Sequence, residues 1–296
     1  MRIVSLVPHA TELLFALGMG DQVVGVTHEC DYPDEARDLP QVTRDVLDPG
    51  LAPGQIDAAV RARTEAGESI YALDDELVRE LEPDLIVTQS LCHVCAVSAD
   101  EVQALARELP GRPRVISLDP STYGETLGDV RTIAQATSSK DAALDLIART
   151  ARRADVVRLA VRGAPRPRVA ALEWLDPVFV AGHWTPQLIE MAGGEDVLGF
   201  AGEPSRQATW EEVAAGQPEV VIVMPCGYDA ARALVEAEEF ADRLRSLGAD
   251  QVVAVNASAY FSRPGPRLVD GLELLAHILH PDRVPEAPAE ALAVEL

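Results

Sequence analysis

Apolar residues along this chain fall in two kinds of pattern. Short unbroken runs bounded by turn residues read as buried strands, and longer stretches with an apolar residue every third or fourth position read as helices. Ile3-Val4-Ser5-Leu6-Val7 opens the chain as a strand, and further runs at 23–27, 84–88 and 114–118 complete the first half. In the second half the runs lie at 168–172, 220–224 and 251–255. The helical period predicts helices at 11–18, 55–65, 75–81, 99–109 and 123–136, then at 186–192, 210–215, 229–247 and 268–279. Residues 173–184 and 256–267 read as loops. The longest helix is expected at 140–162. Ser138 and Ser139 offer hydroxyls to its first turn, and Asp141 suits the positive end of its dipole. Leu144, Ile147, Ala151, Ala154, Val157 and Val161 draw one apolar stripe, and Gly163 and Pro165 stop the run. At 1.5 Å per residue it spans about 34 Å.

The pattern repeats on either side of this helix. Ala-Leu-Gly-Met-Gly-Asp-Gln-Val-Val-Gly-Val at 16–26 is matched by Glu-Met-Ala-Gly-Gly-Glu-Asp-Val-Leu-Gly-Phe at 190–200, which pairs Gly20 with Gly194, Val23 with Val197 and Gly25 with Gly199. Pro83-Asp84-Leu85-Ile86-Val87 is matched by Pro218-Glu219-Val220-Val221-Ile222, and 113–117 is echoed by 250–254. Two similar doubly wound α/β lobes joined by a single long helix are the simplest architecture. The boundaries follow: a first lobe at 1–121, connecting helices at 122–163, a second lobe at 164–283, and a disordered Pro-, Ala- and Glu-rich tail at 284–296. The offset between repeats drops after the first match, so the first lobe carries extra residues, placed at about 44–74.

Charge narrows the partners. With 48 acidic against 25 basic residues, the net charge of −23 argues against nucleic acid. No apolar run reaches the roughly 18 residues of a membrane span. Met1-Arg2 leads straight into a strand that Pro8-His9 ends, which is no secretory signal. The expected location is therefore cytoplasmic, or periplasmic or extracellular if a leader precedes this sequence. The chain is expected to be a monomer.

Ligands of open α/β sheets sit beyond the carboxyl ends of the strands. All four cysteines fall there (Cys30, Cys92, Cys95 and Cys226), as do His9, His28, His93 and His183. Seven of the 13 aromatic residues fall there too: Tyr32, Trp174, Phe179, Trp184, Tyr228, Tyr260 and Phe261. A cleft between the lobes lined with aromatic faces suits a large, flat, partly apolar ligand. Nucleophile-elbow, phosphate-loop and zinc-protease motifs are absent, which argues against an enzyme. Cys92-His93-Val94-Cys95 is a C-x-x-C pair, and Cys30 with Cys226 would complete four thiolates for zinc or an iron–sulfur cluster. The alternative is that these thiols merely line the cleft, since one C-x-x-C pair alone is a weak signal.

Ile3-Val4-Ser5-Leu6-Val7-Pro8 with Thr11-Glu12, Val23-Val24-Gly25-Val26 and Pro83-Asp84-Leu85-Ile86 carry a resemblance that covers nearly the whole chain. The sequence resembles the periplasmic iron-complex and vitamin B12 substrate-binding proteins of ABC importers. Asp31-Tyr32-Pro33 and the 260–267 stretch are most similar to the cobalamin-binding branch. The resemblance implies a binding protein for cobalamin or a related corrinoid, as a transport component or a cytosolic carrier, with haem or a ferric siderophore as the alternative ligand. It implies that the ring is held by Tyr32, Phe179 and Tyr260, with Trp184 as a further match, and that Arg263 meets its polar edge; Phe261 beside them, and His183 as a candidate cobalt ligand, are expectations from their place in the same loops rather than from the resemblance. It also implies an ABC permease as partner, docked through an acidic patch on each lobe. The expected lack of a leader and the cysteine set would both depart from the family's pattern.

Overall fold

In a computed structural model, described here for residues 1–90 and 97–296, the chain divides into two compact α/β units. One comprises residues 1–120 and 127–147, the other 121–126 and 148–296.

The first unit is built from β1 (Ile3–Ser5), α1 (Pro8–Ala16), β2 (Val23–Gly25), β3 (Thr43–Asp45), α2 (Pro53–Glu65), β4 (Tyr71–Leu73), α3 (Asp75–Glu80), β5 (Leu85–Thr88), α4 (Ala99–Glu108), β6 (Arg114–Ser117), most of α5 (Tyr123–Thr137) and the first turns of α6 (Lys140–Ala160). Four strands pair in parallel in the order β2-β1-β5-β6. Side chains of a strand alternate between the two faces. Ile3, Val7, Leu85 and Val87 therefore join Leu13 and Leu14 of α1 and Ile133 of α5 in one core. Val4, Leu6 and Ile86 join Val78 of α3 and Val102 and Leu105 of α4 in another. Covering both faces is why these strands are continuous apolar runs. The extra residues of this half form the antiparallel pair β3–β4 with α2 between them.

The second unit continues with β7 (Arg168–Leu175), β8 (Val178–Val180), α7 (Thr185–Met191), β9 (Glu195–Asp196), β10 (Arg206–Gln207), α8 (Trp210–Ala215), β11 (Val220–Val223), α9 (Ala230–Glu239), α10 (Ala241–Ser246), β12 (Gln251–Val255), α11 (Ala257–Tyr260), α12 (Leu268–Leu279) and β13 (Ala291–Ala293). Its parallel strands β9, β7, β11 and β12 repeat the order of the first sheet. The repeated glycines have a steric cause. A Cβ on Gly20, Gly25, Gly194 or Gly199 would stand 2.7, 2.7, 2.9 or 2.5 Å from its nearest neighbour.

Several expectations need correction. The loop expected at 173–184 holds a hairpin, in which β8 runs antiparallel to β7 with Trp174 opposite Phe179. The helix expected at 229–247 breaks at Phe240 into α9 and α10. The tail expected to be disordered instead pairs Ala291–Ala293 antiparallel with β12 and buries Val294. The long helix ends at Ala160, and its apolar stripe is rotated from the one drawn on the sequence. Ala143, Leu146, Thr150, Ala154, Val157 and Val161 are buried, whereas Leu144 is 57% exposed and Ala151 is exposed too. Arg153 fixes the rotation in the second unit, because its guanidinium meets Glu273 at 2.8 and 2.6 Å and Asp270 at 2.5 Å on α12. Among the described residues no helix is long and apolar enough to cross a membrane.

Candidate ligand-binding site

In the first unit the segment after β2 carries the candidate chemistry. The His28 Nδ1 lies 2.8 Å from the Thr43 hydroxyl of β3, and its ring sits 5.2 Å from that of Tyr71 on β4. The Tyr71 hydroxyl donates to Glu29 at 3.0 Å. The inserted β3–β4 pair is thus tied to the end of β2. Tyr32 follows and is 47% exposed. Cys30 points the other way. It is 3% exposed, inside the core, with its sulfur 3.0 Å from the Thr11 hydroxyl and 3.3 Å from that of Thr27. A thiol so enclosed behaves as a small apolar residue with a weak hydrogen bond rather than as a metal ligand. Cys92 and Cys95, like His93, lie outside the described residues. Cys226 belongs to the second unit and is exposed. Among the described residues no group of three or more histidine, cysteine or acidic side chains is placed to hold a metal.

In the second unit the carboxyl ends of β7, β11 and β12 meet. The Cys226 amide donates to the Glu173 carbonyl at 3.1 Å, the Gly227 amide to the Ser262 hydroxyl at 3.3 Å, and the Ser258 amide to the Tyr228 carbonyl at 3.0 Å. Two aromatic side chains come together at this end of the sheet. Trp174 and Tyr228 meet edge to face, with ring centres 5.4 Å apart, and the Trp174 indole N–H donates to the Asp176 carbonyl at 3.0 Å. The Arg232 guanidinium lies 3.6 Å over the Tyr228 ring, a cation–π contact. Burial, and then the charge of Glu236, raises the Tyr228 phenol above its ordinary pKa. Phe179 shares the face of Trp174 across the hairpin and is half-buried. Tyr260 is half-buried with the Arg267 guanidinium 5.8 Å from its ring centre, and Arg263 is half-buried in the same loop.

Two of the expected contact residues are structural. Trp184 is 6% exposed and donates its indole N–H to the Phe261 carbonyl at 2.7 Å; Phe261 itself is 1% exposed. Both are wedged into the fold, and neither offers a face to a ligand. His183 stands just before Trp184 in a left-handed turn (φ 51°), its amide bonded to the Glu203 carbonyl at 2.6 Å. Burial lowers its pKa, so the imidazole is neutral at neutral pH. Trp174, which is half-buried, takes the place of the two lost aromatics, backed by Tyr228, itself only 5% exposed. The rule that pointed to strand ends reaches Trp174 and Tyr228 as well; packing separates the half-buried Trp174 from Trp184 and Phe261, whereas Tyr228 is enclosed as they are. A depression of about 610 Å³ lined by Gln103, Arg107, Arg112 and Pro113 opens beside the amino end of β6, away from these groups.

The family described as "Periplasmic binding protein" matches residues 3–256. The chain belongs to the periplasmic binding protein family. Within this family of binding proteins it is similar to the vitamin B12-binding protein of Vibrio cholerae, at 24% identity over 288 residues, covering 92% of this chain and 86% of that one. The vitamin B12-binding protein of Pectobacterium carotovorum is 26% identical over 274 residues, covering 90% and 84%. Among solved periplasmic binding proteins, the vitamin B12-binding protein of Vibrio cholerae superposes with a TM-score of 0.67 at 23% identity, covering 94% of this chain and 96% of that one. A haem-binding protein from Roseiflexus, in apo form, superposes with a TM-score of 0.67 at 26% identity, covering 96% and 98%. The two solved proteins are periplasmic by description; the cytoplasmic location expected from the N-terminus is unconfirmed.

Proposed function

We propose that this protein binds a corrinoid of the cobalamin type, using residues beyond the carboxyl ends of its strands. The observation that carries the reading is the similarity to vitamin B12-binding proteins over nine-tenths of the chain. Accessible aromatic groups at those strand ends support it: Tyr32 in the first unit, and Trp174, Phe179 and Tyr260 in the second. Flat apolar faces of this kind suit a tetrapyrrole-like ring. Arg263 is assigned to the polar rim of the ligand, and His183 to the metal when an axial position is open, because a neutral imidazole is the form that ligates. The protein works outside the cytoplasm, as its family does, and hands its ligand to an ABC permease.

The test is an absorption spectrum before and after loading with hydroxocobalamin and desalting. Retained corrin bands support the reading, and a shift in those bands supports an axial ligand. A His183→Ala variant that keeps the shifted bands removes the histidine from the assignment. Haem is the second reading, favoured by the similarity to the Roseiflexus protein, and hemin loaded in parallel separates the two. Retention of hemin without corrin would overturn the first reading. Fractionation of cells carrying the natural gene checks the location, and stimulation of a reconstituted permease's ATPase activity checks the partner.

A further inference from the structure

Glu236 is the most unusual ionisable group of the second unit. It lies on α9 with 4% of its surface exposed, and neither carboxyl oxygen has a hydrogen-bond partner among the described residues. The Leu175 amide faces the carboxyl without closing a bond of good geometry. Arg232 and Glu239 approach from its own helix, Asp176 from the β7–β8 turn, and Tyr228 from the segment before α9. The strands beneath, β11, β12 and β13, contribute no titratable side chain. A buried carboxylate without partners is costly, so this carboxyl is neutral in the arrangement described.

Its neighbours are the groups that hold Trp174. Leu175 and Asp176 follow Trp174 directly, and the Asp176 carbonyl accepts the indole N–H. Arg232, one turn before Glu236 on α9, covers the ring of Tyr228, which packs edge to face on the same indole. We propose that Glu236 is the positioning residue of the β7–β8 hairpin: its neutral carboxyl lets the 175–177 turn and Arg232 hold Trp174 in place, and its ionisation releases both. Loss of the proton puts a negative charge beside Asp176 and Glu239, which pushes the turn away. The same charge draws the Arg232 guanidinium off the Tyr228 ring. Both displacements converge on Trp174. The desolvation that makes the carboxyl neutral also raises its pKa to about 7, so the change falls near neutrality. The consequence for ligand rests on the corrinoid reading, in which Trp174 meets the ring: affinity then falls as pH rises.

The experiment begins without ligand. Tryptophan emission of the intact protein is followed from pH 5 to 9. A step near neutrality is expected in the wild type. Glu236→Gln, isosteric with the neutral carboxyl, removes the step, and Trp174→Phe removes it from the emission. Asp176→Asn moves the midpoint to lower pH, because it deletes a negative charge that disfavours ionisation. A purely structural role would leave that midpoint unmoved. A step that persists in Glu236→Gln, or in Trp174→Phe, overturns the proposal. Affinity for cyanocobalamin, which has no group titrating near neutrality, is then measured across the same range. It falls by up to about tenfold per pH unit above the midpoint in the wild type and stays level in Glu236→Gln. No cyanocobalamin binding at any pH would overturn the corrinoid reading alone, because the ligand-free titration stands independently of it.

Discussion

Arg2, just before β1, and Arg168, at the head of β7, make closely similar bonds. The Arg2 amide donates to the Asp84 carboxylate at 2.7 Å, and its guanidinium to the Leu81 carbonyl at 2.6 Å. The Arg168 amide donates to the Glu219 carboxylate at 2.8 Å, and its guanidinium to the Gln217 and Gly216 carbonyls at 3.2 and 2.5 Å. Each acid follows a proline, and each proline follows a residue in the left-handed region, Glu82 at φ 42° and Gln217 at φ 45°. At the carboxyl ends the likeness stops. The first unit adds the β3–β4 pair, tied down by His28 and Tyr71. The second adds the β7–β8 hairpin, with Trp174 set among Tyr228, Arg232 and Glu236. The amino ends only have to start the strands, so one solution serves twice. The carboxyl ends carry the candidate ligand contacts, and there each unit has its own side chains.

The strongest way to break this comparison is to remove an aromatic group that serves the fold and one that serves the strand end. Phe261→Ala is expected to cost about 3–5 kcal/mol, because the ring is enclosed and the space cannot refill. Trp174→Ala, at a half-buried position, costs less stability but more ligand affinity. Urea denaturation and corrin titration of the two variants separate the effects; equal loss of stability in both would remove the distinction. The next effect is on pH. Glu236 has a folded pKa near 7 against an ordinary 4.5, so the folded state holds the proton more tightly than the unfolded chain. Its contribution is fully present below about pH 4.5 and is lost as pH rises to about 7. The loss is on the order of 3 kcal/mol. Stability of the wild type therefore declines across that window relative to Glu236→Gln, and parallel curves for the two would contradict it.

Much of the architecture was legible because strands buried on both faces leave unbroken apolar runs. The repeated proline–acid–aliphatic pattern at 83–87 and 218–222 marked the same strand in each unit. What stayed hidden has physical causes. A helix with apolar residues around much of its girth allows more than one stripe, and only packing in the first unit's core, which takes in Leu146 and leaves Leu144 exposed, chooses between them. Leu292 and Val294 alternate with small residues as a strand should, but the Pro, Ala and Glu around them masked the signal. An aromatic residue after a strand reads the same whether it turns inward, as Trp184 does, or stays accessible, as Tyr32 does. Glu236 stands in Val-Glu-Ala-Glu-Glu, which looks like a solvated face; that one of the three acids is enclosed shows only once α9 lies on its sheet. Of the expected ligand contacts, Tyr32, Phe179, Tyr260 and Arg263 keep accessible surface, and Trp184 and Phe261 do not.

Smaller effects sharpen the amino-end half of the comparison. Asp84→Ala and Glu219→Ala each delete the acceptor of a strand-heading amide, and each should cost about 1 kcal/mol. The two costs should agree within a few tenths, since the bonds are 2.7 and 2.8 Å. A clear inequality would mean that the shared geometry hides different energetics. The finest test concerns the residues before the prolines. Glu82 and Gln217 hold a conformation that costs an L-residue about 1 kcal/mol, and glycine pays no such cost. Glycine also gains freedom in the unfolded chain, worth roughly 0.5–1 kcal/mol in the opposite sense. The two terms nearly cancel, so Glu82→Gly and Gln217→Gly should each change stability by less than about 0.5 kcal/mol. Gln103→Gly, on an exposed position inside α4, has only the unfavourable term and should cost about 1 kcal/mol. If the turn variants cost as much as the helix variant in denaturant titrations, the left-handed turns do not store the strain that their backbone angles imply.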